Sequence, residues 1–135
     1  MKRRLRLLAL LCAPLVIGCP QIAHVWLEPN ATNQHLSFGI GRTPSKPGGV
    51  AIGVFRVDPC QFRDGSQPAW VISDNTADDK TGHVEYGRIP SGFSEDRKAI
   101  PLAPGCYQAS VSGSPGRIAF DILPSGEVRA RSEPK

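Results

Sequence analysis

The chain has 135 residues, enough for one small domain with a modest core. Its 16 Lys and Arg outnumber 12 Asp and Glu, for a net charge of +4 and a pI near 9.1. That excess is terminal: Lys2, Arg3, Arg4 and Arg6 precede an apolar run, and beyond residue 18 the basic count falls from 16 to 12 against the same 12 acids. The remaining cations are scattered among acids, with few aromatics placed for stacking. This excludes the clustered basic footprint that a nucleic-acid surface requires.

From the N-terminus, a positive segment (residues 1–6) leads into the apolar stretch 7–17, Leu-Leu-Ala-Leu-Leu-Cys-Ala-Pro-Leu-Val-Ile. This is the length of a signal h-region and is too short to cross a bilayer, which takes about 20 apolar residues. Polar residues never recur on one face of the stretch, and Pro14 interrupts a permanent helix. Arg3-Arg4 reads as part of the basic n-region. The next four residues, Val16-Ile17-Gly18-Cys19, resemble the lipobox of bacterial lipoproteins, with Val16 where that family most often has Leu. Cys12 follows Leu11, which is not the small residue that the family's peptidase needs.

The resemblance implies cleavage after Gly18, diacylglycerol in thioether linkage on Cys19, and acylation of the new amino terminus, with a fatty acid such as palmitate. Residues 1–18 are then a lipoprotein signal peptide, expected as a short signal helix, and residues 19–135 a single lipid-anchored domain. Pro20, not Asp, follows the cysteine. In a cell with two membranes the family rule that this implies is sorting to the outer membrane, facing the periplasm. Two or three acyl chains, at about 0.8 kcal/mol per buried CH₂, anchor stably where one does not.

With Cys12 removed and Cys19 lipidated, Cys60 and Cys106 remain in the exported part. In an oxidising compartment the pair most simply forms one disulfide, two buried free thiols being the alternative. The bridge closes a loop of roughly 45 residues and contributes about 4 kcal/mol in the chain-entropy model. Neither cysteine has a second Cys or His at metal-ligand spacing, so no metal site is expected.

Downstream, short apolar segments alternate with turn signals about every ten residues, the mark of an all-β fold. The candidate strands are Ile22–Leu27, Gln34–Ile40, Val50–Val57, Ala69–Ser73, His83–Ile89, Cys106–Ser112, Arg117–Ile122 and Glu127–Arg131. Alternation in Leu36, Phe38 and Ile40, in Tyr107, Ala109 and Val111, and in Ile118, Phe120 and Ile122 gives each strand one apolar face. Two sheets stacked face to face, a small β-sandwich, bury such faces most simply. Thr43–Gly49 and Asp74–Gly82 read as polar loops, Pro90–Pro104 as a longer Greek-key connection, and Leu123-Pro124-Ser125-Gly126 as a hairpin turn. Residues 132–135 read as tail.

Leu102-Ala103-Pro104-Gly105-Cys106-Tyr107 resembles the Leu-x-Pro-Gly-x-Tyr opening of a late strand in transthyretin-like and immunoglobulin-like bacterial sandwich domains. The resemblance implies that fold, with the Tyr107 hydroxyl satisfying backbone at a corner. Cys60, Trp70 and Cys106 stand in the order of an immunoglobulin core. The Cys–Trp gap is shorter, however, and Tyr107 follows the second cysteine. Cys106 falls on the opposite face from Tyr107, Ala109 and Val111, which places the bridge on an outer face or at a strand end.

Few residues stand in a pattern that carries chemistry. Ser91, Ser94, Ser114 and Ser125 have Gly neighbours without the spacing of a nucleophile elbow. His24, His35 and His83 each stand alone in strand-like segments. Asp74, Thr76 and Asp78 offer three oxygens for calcium, but Asp79 occupies the place of the required Gly and no bidentate Glu follows, so a solvated turn is expected. Asp58 and Asp64 read as turn residues around Cys60. Asn30-Ala31-Thr32 matches a glycosylation sequon by chance, given a bacterial signal. No catalytic residue, metal, cofactor or small-molecule ligand is expected.

These readings point to a membrane-anchored envelope lipoprotein serving as a non-enzymatic binding or assembly module. Its partners are the membrane, through Cys19, and another envelope protein, met by sheet edges or by the loops Thr43–Gly49 and Asp74–Gly82. The alternatives are a small inhibitor of a lysozyme or protease and a lipid-anchored hydrolase, which needs His35 or His83 in a pocket beside Ser and Asp.

Overall fold

The computed structural model describes residues 22–61, 65–76, 81–112 and 116–132. The signal segment with its expected helix, Cys19, Asp64, Asp78, Asp79 and Ser114 lie outside the described residues.

Ten strands fill the described chain: β1 (His24–Leu27), β2 (Ser37–Thr43), β3 (Lys46–Pro47), β4 (Val54–Pro59), β5 (Trp70–Asp74), β6 (His83–Glu85), β7 (Phe93–Arg97), β8 (Gly105–Val111), β9 (Arg117–Ile122) and β10 (Val128–Ala130). They form two antiparallel sheets. In the smaller, β2 is central, with β1 on one side and β3 and β6 along the other. The larger runs β10-β9-β8-β4-β5-β7. No described residue is helical. The protein is an all-β sandwich.

Alternation explains which faces meet. Leu36, Phe38 and Ile40 of the small sheet are buried, as are Phe55 and Val57 of β4, Trp70 and Ile72 of β5, Ala109 and Val111 of β8, and Phe120 and Ile122 of β9. Tyr107 and Ile118 pack against the same cluster while staying half-buried. Phe38 touches a ring on each of two large-sheet strands: Phe55 at 5.4 Å and Phe120 at 5.6 Å between centroids. Phe55 continues to Trp70 at 5.9 Å, and Trp70 to Tyr86 at 5.3 Å, both edge to face. Such pairs add about 0.5–1.5 kcal/mol each beyond area burial.

The outer face of the small sheet departs from simple wetness. Gly39 puts no side chain there, and the Trp26 indole from neighbouring β1 lies in the space: a Cβ on Gly39 would fall 2.1 Å from that ring. The aromatic ring shields a glycine that otherwise weakens the strand.

Several boundaries differ from the sequence reading. The Thr43–Gly49 loop contains β3, where Lys46 pairs with Thr43. The long connection 90–104 contains β7, a charged edge strand on β5. The expected strand Val50–Val57 begins only at Val54, although Val50 and Ile52 are buried. The expected strand His83–Ile89 stops at Glu85. Asp58 is no turn residue: it lies within β4 and takes a bidentate pair of 2.7 Å bonds from Arg56 on the same outer face.

Because Phe120 is fully buried against Phe38 and Tyr107, Phe120→Ala is expected to cost about 3–5 kcal/mol in a denaturant melt. A loss under about 1 kcal/mol, the level of an ordinary surface change, contradicts the inward placement of this face.

Candidate functional site

Cys60 and Cys106 are bridged, with Cα atoms 5.3 Å apart, inside the range that a disulfide spans. The bridge ties the residue after β4 to the start of β8, its neighbour in the same sheet, and the Cys60 amide donates to the Cys106 carbonyl at 3.0 Å. It therefore lies at a strand end on the outer face, as the parity of Cys106 requires. An immunoglobulin bridge joins the two sheets instead. Trp70 is in the core, but its ring contacts are Phe55 and Tyr86, and its indole N–H donates to Glu95 Oε1 at 3.1 Å.

Two tyrosines close corners. The Tyr107 hydroxyl donates to the Ala103 carbonyl at 2.8 Å, the corner bond that the Leu-x-Pro-Gly-x-Tyr segment implies, and burial raises its pKa. The Tyr86 hydroxyl donates to the Ile100 carbonyl at 2.8 Å and reaches that of Ala69 at 3.1 Å. Burial, first of all, pushes this phenol up to about 12.

The sandwich has two ends. At one, the described chain begins: Ile22 is 54% exposed, and the adjoining Ala23 is already fully buried. Gly116 packs on the Ala23 carbonyl so closely that a Cβ would lie 2.1 Å from the oxygen. The turn from β2 into β3 sits at this end as well, because His24 pairs with Gly41. So do Gly82, packed on Pro47 and Gly48, and Asp74, whose amide donates to the Gly53 carbonyl. Asp74 Oδ1 accepts from the amide and hydroxyl of Thr76 at 2.7 and 2.8 Å, the turn that the sequence suggests. Among the described residues no group of three His, Cys, Asp or Glu is disposed to hold a metal.

The opposite end carries a groove of about 910 Å³ between Leu27 at the end of β1 and Val128 and Ala130 on β10. Its walls are the β1–β2 connection and the β9–β10 turn, and backbone bonds clip them together. Thr32 bridges Glu127, and the Asn33 amide donates to the Gly126 carbonyl at 3.0 Å. Two positive-φ residues make this fit: Asn30 (φ 62), and Gly126 (φ 86), where a Cβ would strike Asn33. The groove is acidic, with Glu28 and Glu127 in its lining and no basic side chain. Hydrogen bonds from Arg129, outside the groove, hold the Glu127 carboxyl below the usual glutamate range. The groove is polar and charged.

Beside it a second cleft, lined by Glu28, His35, Ser37 and His83, runs back as far as Pro47 and Gly82. The structure thus gathers two of the three histidines with a serine and a carboxylate, while His24 is exposed at the other end. The links of a catalytic relay are missing among these residues. His83 Nδ1 is 3.9 Å from Glu28 Oε1, longer than a hydrogen bond, and none joins Ser37 to either imidazole.

Comparison with family models, with curated proteins and with solved structures returns no match. The sequence reading missed the groove. Pro29-Asn30 and Ser125-Gly126 mark both of its turns, but nothing local says that the two turns meet.

The Arg129–Glu127 pair gives a direct test of the groove's charge. With its pKa depressed in the folded state, Glu127 contributes stability above the ordinary carboxylate pKa that is lost as pH falls through the lowered value. In an NMR titration Arg129→Gln is expected to move the Glu127 midpoint upward; an unmoved midpoint contradicts the pairing.

Proposed function

We propose that this protein is a membrane-anchored envelope lipoprotein whose sandwich is a non-enzymatic binding or assembly module. The observation that carries the reading is the lipobox-like Val16-Ile17-Gly18-Cys19 standing immediately before a domain whose core begins at Ala23. Only Pro20, Gln21 and Ile22 separate lipid from core, so at about 3.5 Å per residue the domain is held within roughly 14 Å of its anchor.

The two ends then divide the work. The end bearing Ile22 faces the membrane, and the acidic groove, about 20 Å away along the six residues of β9, faces the aqueous side. The loops Thr43–Gly49 and Asp74–Gly82, taken from sequence as contact surfaces, begin at the tether end, so the groove replaces them as the partner-facing site. An extended segment of another envelope protein fits there, because β1 and β10 are each hydrogen-bonded on one side only. The edge at β7 is defended: a bulge and the run Glu95-Asp96-Arg97 discourage pairing.

Cys19→Ala is expected to abolish incorporation of a fatty-acid probe and to release the protein from the membrane fraction, or to leave it as uncleaved precursor. Wild-type protein that takes up no probe refutes the proposal.

A further inference from the structure

We infer that Arg42, Lys46 and Arg117 form a headgroup-binding face that seats the tether end of the sandwich on anionic phospholipid. This rests on the anchor proposed above and adds an orientation to it.

Position comes first. Gly41 pairs with His24, so Arg42 lies level with Ala23, and Lys46 pairs with Thr43 one step beyond. Arg117 follows the Gly116 that packs on Ala23, and it lines one shallow depression with Ile22 and His24. Three separate elements thus bring a basic residue to the end where the chain enters from Cys19.

Their pairing is the second observation. Elsewhere the described arginines are matched: Arg56 to Asp58, Arg88 to Glu85, Arg129 to Glu127 and Arg131 to Asp121, while Arg97 donates to Gln67 and to the Pro68 carbonyl. Among the described residues Arg42, Lys46, Arg117 and Lys98 have no such partner, and all but Lys98 sit at the tether end. Among the described residues, the carboxylates towards this end, Asp74 and Asp96, belong to the β5–β7 side of the large sheet, away from β1, and accept from Thr76 and Ser73. Cations left unmatched at one end, while every other described arginine has a hydrogen-bonding or ion-pair partner, are available for an external anion.

The occupant follows from reach. A tether of about 14 Å keeps this end within roughly a Debye length or two of the headgroups at all times. Exposed Ile22 enters the interface beside the three cations, an apolar residue at the depth where one is tolerated. Each basic side chain near an anionic surface adds about a fivefold preference for the seated orientation, so the three together favour it about a hundredfold.

The test uses the full lipidated protein, reconstituted in phosphatidylcholine vesicles with and without phosphatidylglycerol. Amide exchange is followed in peptides covering 42–47 and 116–118, with 123–128 of the groove as reference. With about 30 mol% phosphatidylglycerol the first two are expected to be protected and the reference unchanged. That protection disappears in about 0.5 M salt and in the triple variant Arg42→Gln, Lys46→Gln, Arg117→Gln. Equal exchange in both vesicle types overturns the inference, as does protection of the groove peptide instead. Equal protection by soluble inorganic phosphate without vesicles overturns the lipid assignment. A fatty-acid probe on the same preparation separates the two claims: an unlabelled protein removes the anchor and this inference with it, whereas a labelled protein with lipid-insensitive exchange removes this inference alone.

Discussion

The sandwich depends on one wedge. Phe38, projecting from the only strand that pairs with every other strand of the small sheet, inserts between Phe55 and Phe120 of the large one. Val25, Leu36, Ile40 and Val84 are buried around it on the same sheet, and in a domain this short net stability is only about 5–15 kcal/mol. The rings of Phe55, Trp70 and Tyr86 extend the contact sideways, and the Tyr86 hydroxyl fastens the far margin to the backbone at Ala69 and Ile100. Everything that positions the two ends is referred to this seam: β1 and β2 on one side of it, β9 and β10 on the other.

The disulfide does a different job. It joins strands that are already hydrogen-bonded neighbours, so it adds little to the folded contacts and acts chiefly on the unfolded chain, by closing a loop between residues 46 apart in sequence. Its place on the outer face keeps the core free of sulfur and leaves the inner aromatics to pack. The Cys60 corner and the Tyr107 corner lie at the same end of β8, so one strand start is held by a covalent bond and by the bond from Tyr107 to Ala103.

Much of the fold was legible because alternation is a local signal. Each of the eight strands expected from sequence has a counterpart, and the inward set Leu36, Phe38 and Ile40 is buried as its parity demands. The missed strands have no such signal. β7 reads Phe-Ser-Glu-Asp-Arg, an edge whose charges serve to discourage pairing, and β3 is two exposed residues. Asp58 was misread because a carboxylate beside Pro and Cys suggests a turn, whereas Arg56 two residues earlier neutralises it within the strand. The bridge was legible once the other two cysteines had been assigned elsewhere. The groove was not, since Leu27, Thr32, Glu127 and Ala130 meet only after two sheets have stacked, about a hundred residues apart in the chain.

The proposed attachment of this sandwich to lipid through Cys19 is tested most directly by intact mass measurement of the protein extracted from membranes. The expected species has its N-terminus at Cys19 bearing diacylglycerol, with or without a further acyl chain, and a mass lower by two hydrogens for the Cys60–Cys106 bridge. A protein that begins at any other residue, or that begins at Cys19 with no added lipid mass, contradicts it.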